Sequence, residues 1–156
     1  MPIDPVRLAL PFIAALLAAG PALAAPAPSS PDPSSPAPSS PEAALEAYVD
    51  GLRTGQVARL QALFLPDGQF CTLAEDGAAA PVDCKRFAEV LGGWTAQPDP
   101  AATGRVLDRR DATPSMSAVT YELHFGGDRY VDQLLLYRTD AGWRVVAKTT
   151  AITAVR

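Results

Sequence analysis

The sequence has few of the residues from which metal, redox and nucleic-acid sites are built. It contains a single histidine, His124, and only two cysteines, which are not spaced as Cys-x-x-Cys. One histidine does not complete a four-ligand zinc site with them, and a thioredoxin-type motif is absent. The 13 Lys and Arg residues form no cluster, and the formal net charge is −4. We therefore expect no metal, no cofactor and no nucleic-acid partner.

Only one long apolar run is present, and it lies at the N-terminus. Residues 8–19 are apolar but are interrupted by Pro11, which leaves the run short for a bilayer-spanning helix. Residues 22–24 (Ala-Leu-Ala) then form the small-x-small pattern that a signal peptidase cleaves, and no lipid-accepting cysteine follows. We expect residues 1–24 to be a signal peptide, with an uncleaved anchor helix as the alternative. The mature protein is then exported, periplasmic and free of the membrane.

The segment after this run lacks residues that could form a core. Residues 25–41 contain only Pro, Ser and Ala apart from one Asp, and Ser-Ser-Pro occurs three times. Such a segment buries too little apolar surface to offset its chain entropy. We expect a disordered, proline-extended linker that is either a tether or a leader without a partner. The remainder, residues 42–156, has the length of one small domain.

Helical patterns occupy the first part of this domain. Residues 40–42 (Ser-Pro-Glu) are typical of a helix start, and apolar residues recur at helical spacing until Gly55. A second short amphipathic helix follows and stops at Pro66. Asp83 has the position of a cap for a third helix, which the glycine pair at residues 92–93 would end.

Strand patterns occupy the rest. Runs rich in β-branched and aromatic residues alternate with short turns that contain Gly or Asp. These runs predict strands at residues 69–73, 104–111, 116–125, 129–138 and 143–152. Three helices with a meander of antiparallel strands indicate an α+β fold.

The last two strands carry a recognisable motif. An aromatic-Val-Asp run at residues 130–132 leads through a tight turn into Gly142-Trp143, a basic residue and an apolar strand that ends at Lys148. This hairpin resembles that of the nuclear transport factor 2-like superfamily, closest to its bacterial lumazine-binding-like branch. The order helix, Gly, short helix and Phe-x-Pro-Asp-Gly within residues 48–68 is a second match. The resemblance implies a cone-shaped, cystatin-like fold. In it, three N-terminal helices pack on a strongly curved antiparallel sheet and enclose a pocket.

The cysteine pair lies in the part of the chain that we expect to be exported. An even pair in an oxidising compartment favours a disulfide. We predict that Cys71 and Cys84 are bonded and join the first strand to the start of the third helix, with two separate buried thiols as the alternative.

Bacterial ketosteroid isomerases share the superfamily fold, and the resemblance to them implies candidate site residues. Tyr48 matches their aromatic hydroxyl on the first helix, and Asp132 matches their carboxyl on a late strand. The position of their catalytic base is occupied by Thr72, so the group that would move a proton is missing. Related dehydratases and cyclases use a His/Asp pair, for which His124 is the candidate histidine.

Strand parity connects these candidates. If the turn after Phe125 has two residues, Tyr121 and Asp132 share an apolar face and His124 lies on the opposite one. A turn of three residues would instead bring His124 beside Asp132. With the first register, the ligand-pocket candidates are Tyr48, Tyr121, Asp132 and Trp94, and no catalytic residue is assigned. Structural interpretations remain open, namely core packing for Tyr48 and Trp94 and pairing with Lys148 for Asp132.

Three functions are consistent with these observations. The leading hypothesis is a non-catalytic module that binds a small apolar or heterocyclic ligand, or that serves in assembly. The second is a hydratase, isomerase or cyclase that uses Tyr48, Asp132 and His124. The third is a protein-interaction domain that forms a homodimer through the open face of its sheet. Val119, Val131, Leu135 and Val146 are the candidates for that face.

The cleavage pattern yields a direct test. We expect the mature chain to begin at Ala25, because cleavage one residue later would place Pro26 first. N-terminal sequencing of protein recovered from the periplasm checks this. Membrane-bound protein that retains Met1 would contradict it.

Overall fold

The fold is a layer of helices packed on one face of a curved, open sheet. The structure is a computed structural model that describes residues 37–73 and 81–154, so the predicted signal peptide and most of the linker lie outside the described residues. Its helices are α1 (Pro41–Thr54), α2 (Val57–Leu63) and α3 (Phe87–Thr95). Its strands are β1 (Phe64–Leu73), β2 (Val82–Arg86), β3 (Thr103–Thr113), β4 (Met116–Phe125), β5 (Asp128–Thr139) and β6 (Gly142–Ala154). The predicted α+β class is confirmed. No helix within these residues has the length and apolar character that crossing a bilayer requires.

The sheet is mixed, whereas the sequence predicted an antiparallel one. Its strand order is β2-β1-β6-β5-β4-β3, and β1 runs parallel to β6 while the other neighbours are antiparallel. The predicted meander from β3 to β6 is present. The difference arises because β1 adds to the far edge of that meander, and this pairing joins segments distant in sequence that no local pattern reveals.

The third helix and the strand before it differ from the prediction. Asp83 does not cap a helix but lies in β2, and α3 begins at Phe87 and continues through Gly92 and Gly93 to Thr95. All five residues of β2 are exposed, so this strand has no apolar alternation to predict it. The helix persists through its glycines because Phe87 and Leu91 anchor it in the core.

Helix α1 has the predicted start, end and buried face. Ser40 Oγ accepts a hydrogen bond from the Ala43 N–H at 3.1 Å, and Pro41 occupies the first turn. Gly55 ends the helix with a positive φ of 67°, which glycine adopts without the cost of a Cβ. One face is buried against the sheet through Ala44, Leu45, Tyr48, Val49 and Leu52.

The turn between β4 and β5 sets the faces of the sheet. Phe125 pairs with Asp128 across the two residues Gly126 and Gly127, whose φ values of 62° and 89° suit a tight hairpin. The predicted two-residue register is therefore confirmed, and Tyr121 pairs directly with Asp132. We call the helix-covered side, on which these two residues lie, the inner face and the other side the outer face. Val119, which we predicted on the open face, is buried on the inner one.

Strand β6 contains a bulge that the sequence does not show. Leu136 pairs with Val145 but Leu135 pairs with Ala147, so Val146 is an extra residue in β6. Because an extra residue reverses the alternation of side chains, Val145 and Lys148 both point to the inner face.

The core beneath the bulge contains an aromatic cluster in which the Phe64 ring centroid lies 5.2 Å from that of Tyr48 and 4.7 Å from that of Phe87.

The described part of the linker contacts the domain at the β5–β6 turn. The Trp143 N–H donates to the carbonyl oxygen of Pro38 at 3.0 Å. Gly142 has a φ of 87°, and a Cβ at this position would lie 2.6 Å from the same oxygen. The close approach of the two backbones therefore requires glycine here.

Cys71 and Cys84 form the predicted disulfide. They are direct partners on β1 and β2 with Cα atoms 4.1 Å apart, so the bond joins two strands instead of a strand and a helix. Because β2 buries none of its side chains, the disulfide is the main covalent constraint that holds this edge strand.

We expect reduction of this bond to lower the free energy of unfolding by about 3 kcal/mol, the loop entropy restored to the unfolded chain. Thermal melts with and without reductant measure the change. A Cys71→Ala/Cys84→Ala variant is the control, since its melting temperature should already be low and should not respond to reductant. An unchanged melting temperature of the reduced wild-type protein would contradict the prediction.

Candidate functional site

A cavity of about 270 Å³ lies between the inner face of the sheet and the helices. Helix α1 contributes Tyr48 and Leu52, and α3 contributes Trp94. The strands contribute the remaining lining residues, which are Phe70, Thr72, Leu123, Phe125, Tyr130, Lys148, Thr150 and Ile152. Ile152 is 51 % exposed and therefore marks the opening. The lining is apolar and aromatic with a few polar groups, as is usual for small-molecule sites.

A buried ion pair lies at the base of the cavity. Lys148 Nζ is 3.1 Å from Asp132 Oδ2, and the two residues are 4 % and 0 % exposed. Thr150 Oγ1 donates a hydrogen bond of 2.7 Å to Asp132 Oδ1. Asp132 pairs with Thr150 across β5 and β6, and Lys148 is one inner-face position further along β6. Burial of either charge alone would be costly, so the two depend on each other.

Three aromatic rings surround the ammonium group of Lys148. Its Nζ lies 4.7 Å from the centroid of Trp94, 5.2 Å from that of Phe70 and 5.5 Å from that of Tyr48. These distances are within the range in which a cation is attracted to the face of an aromatic ring. The rings also pack on one another, with Phe70 and Trp94 centroids 5.1 Å apart in an edge-to-face arrangement. The site is therefore a rigid aromatic enclosure around one amine.

Burial shifts the titration of the groups in this enclosure. Removal from water lowers the pKa of Lys148, and the neighbouring Asp132 opposes that shift. Burial also raises the pKa of Tyr48 well above its usual value, and the charge of Asp132 adds to the effect. For Tyr121, burial followed by the charge of Asp132 raises the pKa to about 12. Both phenols thus remain protonated at physiological pH.

Comparison with known proteins identifies the family. The profile of the family described as "Putative lumazine-binding" matches residues 39–150. The chain belongs to this family. The match covers α1 to most of β6, and so it includes every residue that lines the cavity except Ile152. A search of curated proteins returns no match.

Solved structures similar to this lumazine-binding-like domain confirm the nuclear transport factor 2-like fold. An NTF2-like protein of unknown function from Silicibacter pomeroyi superposes with a TM-score of 0.61 at 15 % identity, covering 72 % of this chain and 92 % of that one. One from Shewanella baltica gives 0.61 at 14 % identity, with coverages of 72 % and 90 %. A ketosteroid isomerase-like protein from Erwinia carotovora gives 0.53 at 13 % identity, with coverages of 73 % and 94 %. At these identities the similarity concerns the fold alone.

All four predicted pocket residues lie on the inner side of the fold, but only two of them line the cavity. Tyr48 and Trp94 line the cavity. Asp132 does not line it, because it lies behind Lys148 and Thr150. Tyr121 is the next residue in the same row of the sheet, and its ring fills the space that a side chain at Gly104 would take. Participation of these residues in ligand binding remains a prediction.

His124 is on the outer face and does not approach Asp132. Its Nε2 lies 3.5 Å from Glu122 Oε1, and Glu122 also contacts the guanidinium groups of Arg105 and Arg129. Hydrogen bonds from these two arginines lower the pKa of Glu122 to about 2. The histidine thus belongs to a cluster of charged surface residues, and the three-residue turn that would have paired it with Asp132 is wrong.

Lys148 is the most important residue of the site that is not among the pocket residues predicted from the sequence. A charge in the run Val145-Val146-Ala147-Lys148 is a signal of a buried or paired base. Regular alternation from Trp143, which faces inward, would however place Lys148 on the outer face. The bulge at Val146 reverses the alternation and brings Lys148 to the inner face. Phe70 was likewise missed, since its role depends on the parallel pairing with Lys148.

The ion pair predicts a large effect of a small substitution. We expect Asp132→Asn to lower the free energy of unfolding by about 3–5 kcal/mol, because it leaves a buried ammonium without its counter-charge. Denaturant melts measure this loss. Asp132→Asn/Lys148→Met should recover most of it, since both charges are then removed.

The surface pair Asp83–Lys85 is the matched control. Its side chains are 47 % and 55 % exposed with the charged atoms 3.1 Å apart. Asp83→Asn should therefore change stability by less than about 1 kcal/mol. Equal effects of the two substitutions would show that Asp132 and Lys148 do not form the buried pair.

Proposed function

We propose that this domain is an exported, non-catalytic module that binds a small planar heterocycle in its inner cavity. The observation that carries this proposal is the amine of Lys148, held within aromatic walls at the base of an apolar cavity. The Cys71–Cys84 disulfide supports a location outside the cytoplasm.

The size of the cavity favours a ligand of one or two rings. Its volume is about 270 Å³. Sites for drug-sized ligands usually occupy about 300–1,000 Å³, so this one suits a molecule at or below the small end. The edge-to-face rings of Phe70 and Trp94 leave a flat apolar ligand in contact with π surfaces.

The polar groups of the cavity favour a ligand that carries carbonyl oxygens. The ammonium of Lys148 is a donor without any acceptor capacity, and the other polar groups of the lining are the hydroxyls of Tyr48, Thr72, Tyr130 and Thr150. A pteridine-dione of the lumazine type has this combination of flat rings and carbonyl acceptors. The family name therefore agrees with the chemistry of the site.

None of the described residues that line the cavity is a carboxylate or a histidine, and this supports the non-catalytic assignment. Asp132 already interacts with Lys148 and Thr150. The resemblance to ketosteroid isomerases implies that Thr72, which lines the cavity, stands where those enzymes have their base. Proton transfer would require a base that reaches the substrate directly. Formation of a homodimer through the outer face remains a prediction. Val131 and Leu135 lie on that face and are half-buried.

Calorimetric titration with lumazine tests the proposal. We expect binding to the wild-type protein and about tenfold or greater weakening in Asp132→Asn/Lys148→Met, since a charge-assisted hydrogen bond contributes about 1.5–3 kcal/mol. Lys85→Met, which removes the surface amine, is the control and should bind as the wild type does.

Native mass spectrometry of protein purified from the periplasm extends this test to other ligands and to the oligomeric state. A retained heterocyclic compound would support the proposal even if lumazine binds weakly. Absence of any retained compound, together with no heat of binding for lumazine, would refute it.

A further inference from the structure

The two lysines of the chain have opposite environments. Lys148 lines the cavity and is 4 % exposed, whereas the side chain of Lys85 is 55 % exposed beside Asp83. A lysine held away from water in an apolar cavity is the form in which this residue acts as a nucleophile. The surface lysine provides an internal reference within the same molecule.

We propose that Lys148 binds carbonyl ligands covalently, forming a reversible imine with a small aromatic aldehyde or ketone that enters the cavity. This inference rests on the proposed function, because the cavity must first admit the ligand.

The geometry supplies each proton that the reaction requires. The ammonium transfers a proton to Asp132 Oδ2 at 3.1 Å, and the resulting neutral amine attacks the carbonyl carbon. A C–N bond forms, and a proton moves from the nitrogen to the oxygen to give a carbinolamine. Thr150 Oγ1, which lines the cavity and hydrogen bonds to Asp132, then relays the proton of Asp132 to the hydroxyl, which leaves as water while the C=N bond forms. The ammonium and the carbonyl compound thus yield an iminium ion and one water, with no oxidant or reductant.

The surroundings of Lys148 favour this product over other covalent modifications. An iminium ion keeps the positive charge of the lysine, so the pairing with Asp132 is retained. Its contacts with the faces of Trp94, Phe70 and Tyr48 are retained as well. An amide, in contrast, would leave Asp132 buried without a counter-charge. Burial also lowers the pKa of Lys148, which increases the fraction of neutral amine, although Asp132 opposes the shift.

The test uses the protein with its Cys71–Cys84 disulfide intact. Benzaldehyde and sodium cyanoborohydride convert any imine into a stable benzylamine, and peptide mapping then measures the adduct at each lysine. We expect about tenfold or more adduct at Lys148 than at Lys85, because the aromatic walls hold the aldehyde beside the amine of Lys148 and so raise its effective concentration there. Excess benzyl alcohol, which has the same ring but no carbonyl, should suppress the adduct at Lys148 and not that at Lys85.

Two variants separate covalent from non-covalent effects. Lys148→Arg keeps a cation but cannot form an imine, so it should lose the cavity adduct, and Lys85→Arg should keep it. Because the main measurement uses the wild-type protein, misfolding of Lys148→Arg does not affect the conclusion.

The outcomes also distinguish this inference from the proposed function. Calorimetric binding of benzyl alcohol without an adduct at Lys148 would overturn the imine and leave the binding site in place. Equal labelling of the two lysines would overturn it as well. A protein that neither binds benzyl alcohol nor reacts at Lys148 would refute both proposals for this class of ligand.

Discussion

The ion pair between Lys148 and Asp132 is the constraint on which the inner face depends. An apolar core that contains one buried ammonium must place a carboxylate within contact distance, and this fixes the register of β5 against β6. It also requires the bulge at Val146, because without the extra residue the lysine would point to the outer face. The aromatic rings of α1, β1 and α3 then meet around the ammonium instead of filling the space completely. The cavity is thus a consequence of how one charge is accommodated.

Local signals in the sequence were sufficient for much of this architecture. The cap at Ser40, the glycine at position 55 and the Gly126-Gly127 turn each specify backbone geometry within a few residues. For that reason α1 and the pairing of Tyr121 with Asp132 could be predicted. These features also placed Tyr48 and Asp132 correctly on the inner side of the fold.

Features that depend on distant contacts could not be predicted in the same way. Every side chain of β2 is exposed, so this strand is defined only by its pairing with β1. The parallel pairing of β1 with β6 joins Phe70 to Lys148 across most of the domain, and no alternation of residues encodes it. The bulge in β6 could not be predicted either, because it is defined by the pairing of β6 with β5 and not by a local pattern of residues. Each missed element of the site, Lys148 above all, depends on one of these long-range features.

The hydrogen bond between Trp143 and Pro38 has a consequence for how the domain can be presented. It fixes the entering chain at the Thr139–Gly142 turn, whereas Tyr130 and Ile152 lie at the cavity, farther along the same hairpin. At about 3.3 Å per strand residue, the separation from Tyr130 to Thr139 is about 30 Å. A partner fused directly before Pro38 would therefore lie at the end of the hairpin away from the opening, so that solutes reach the cavity without passing the partner.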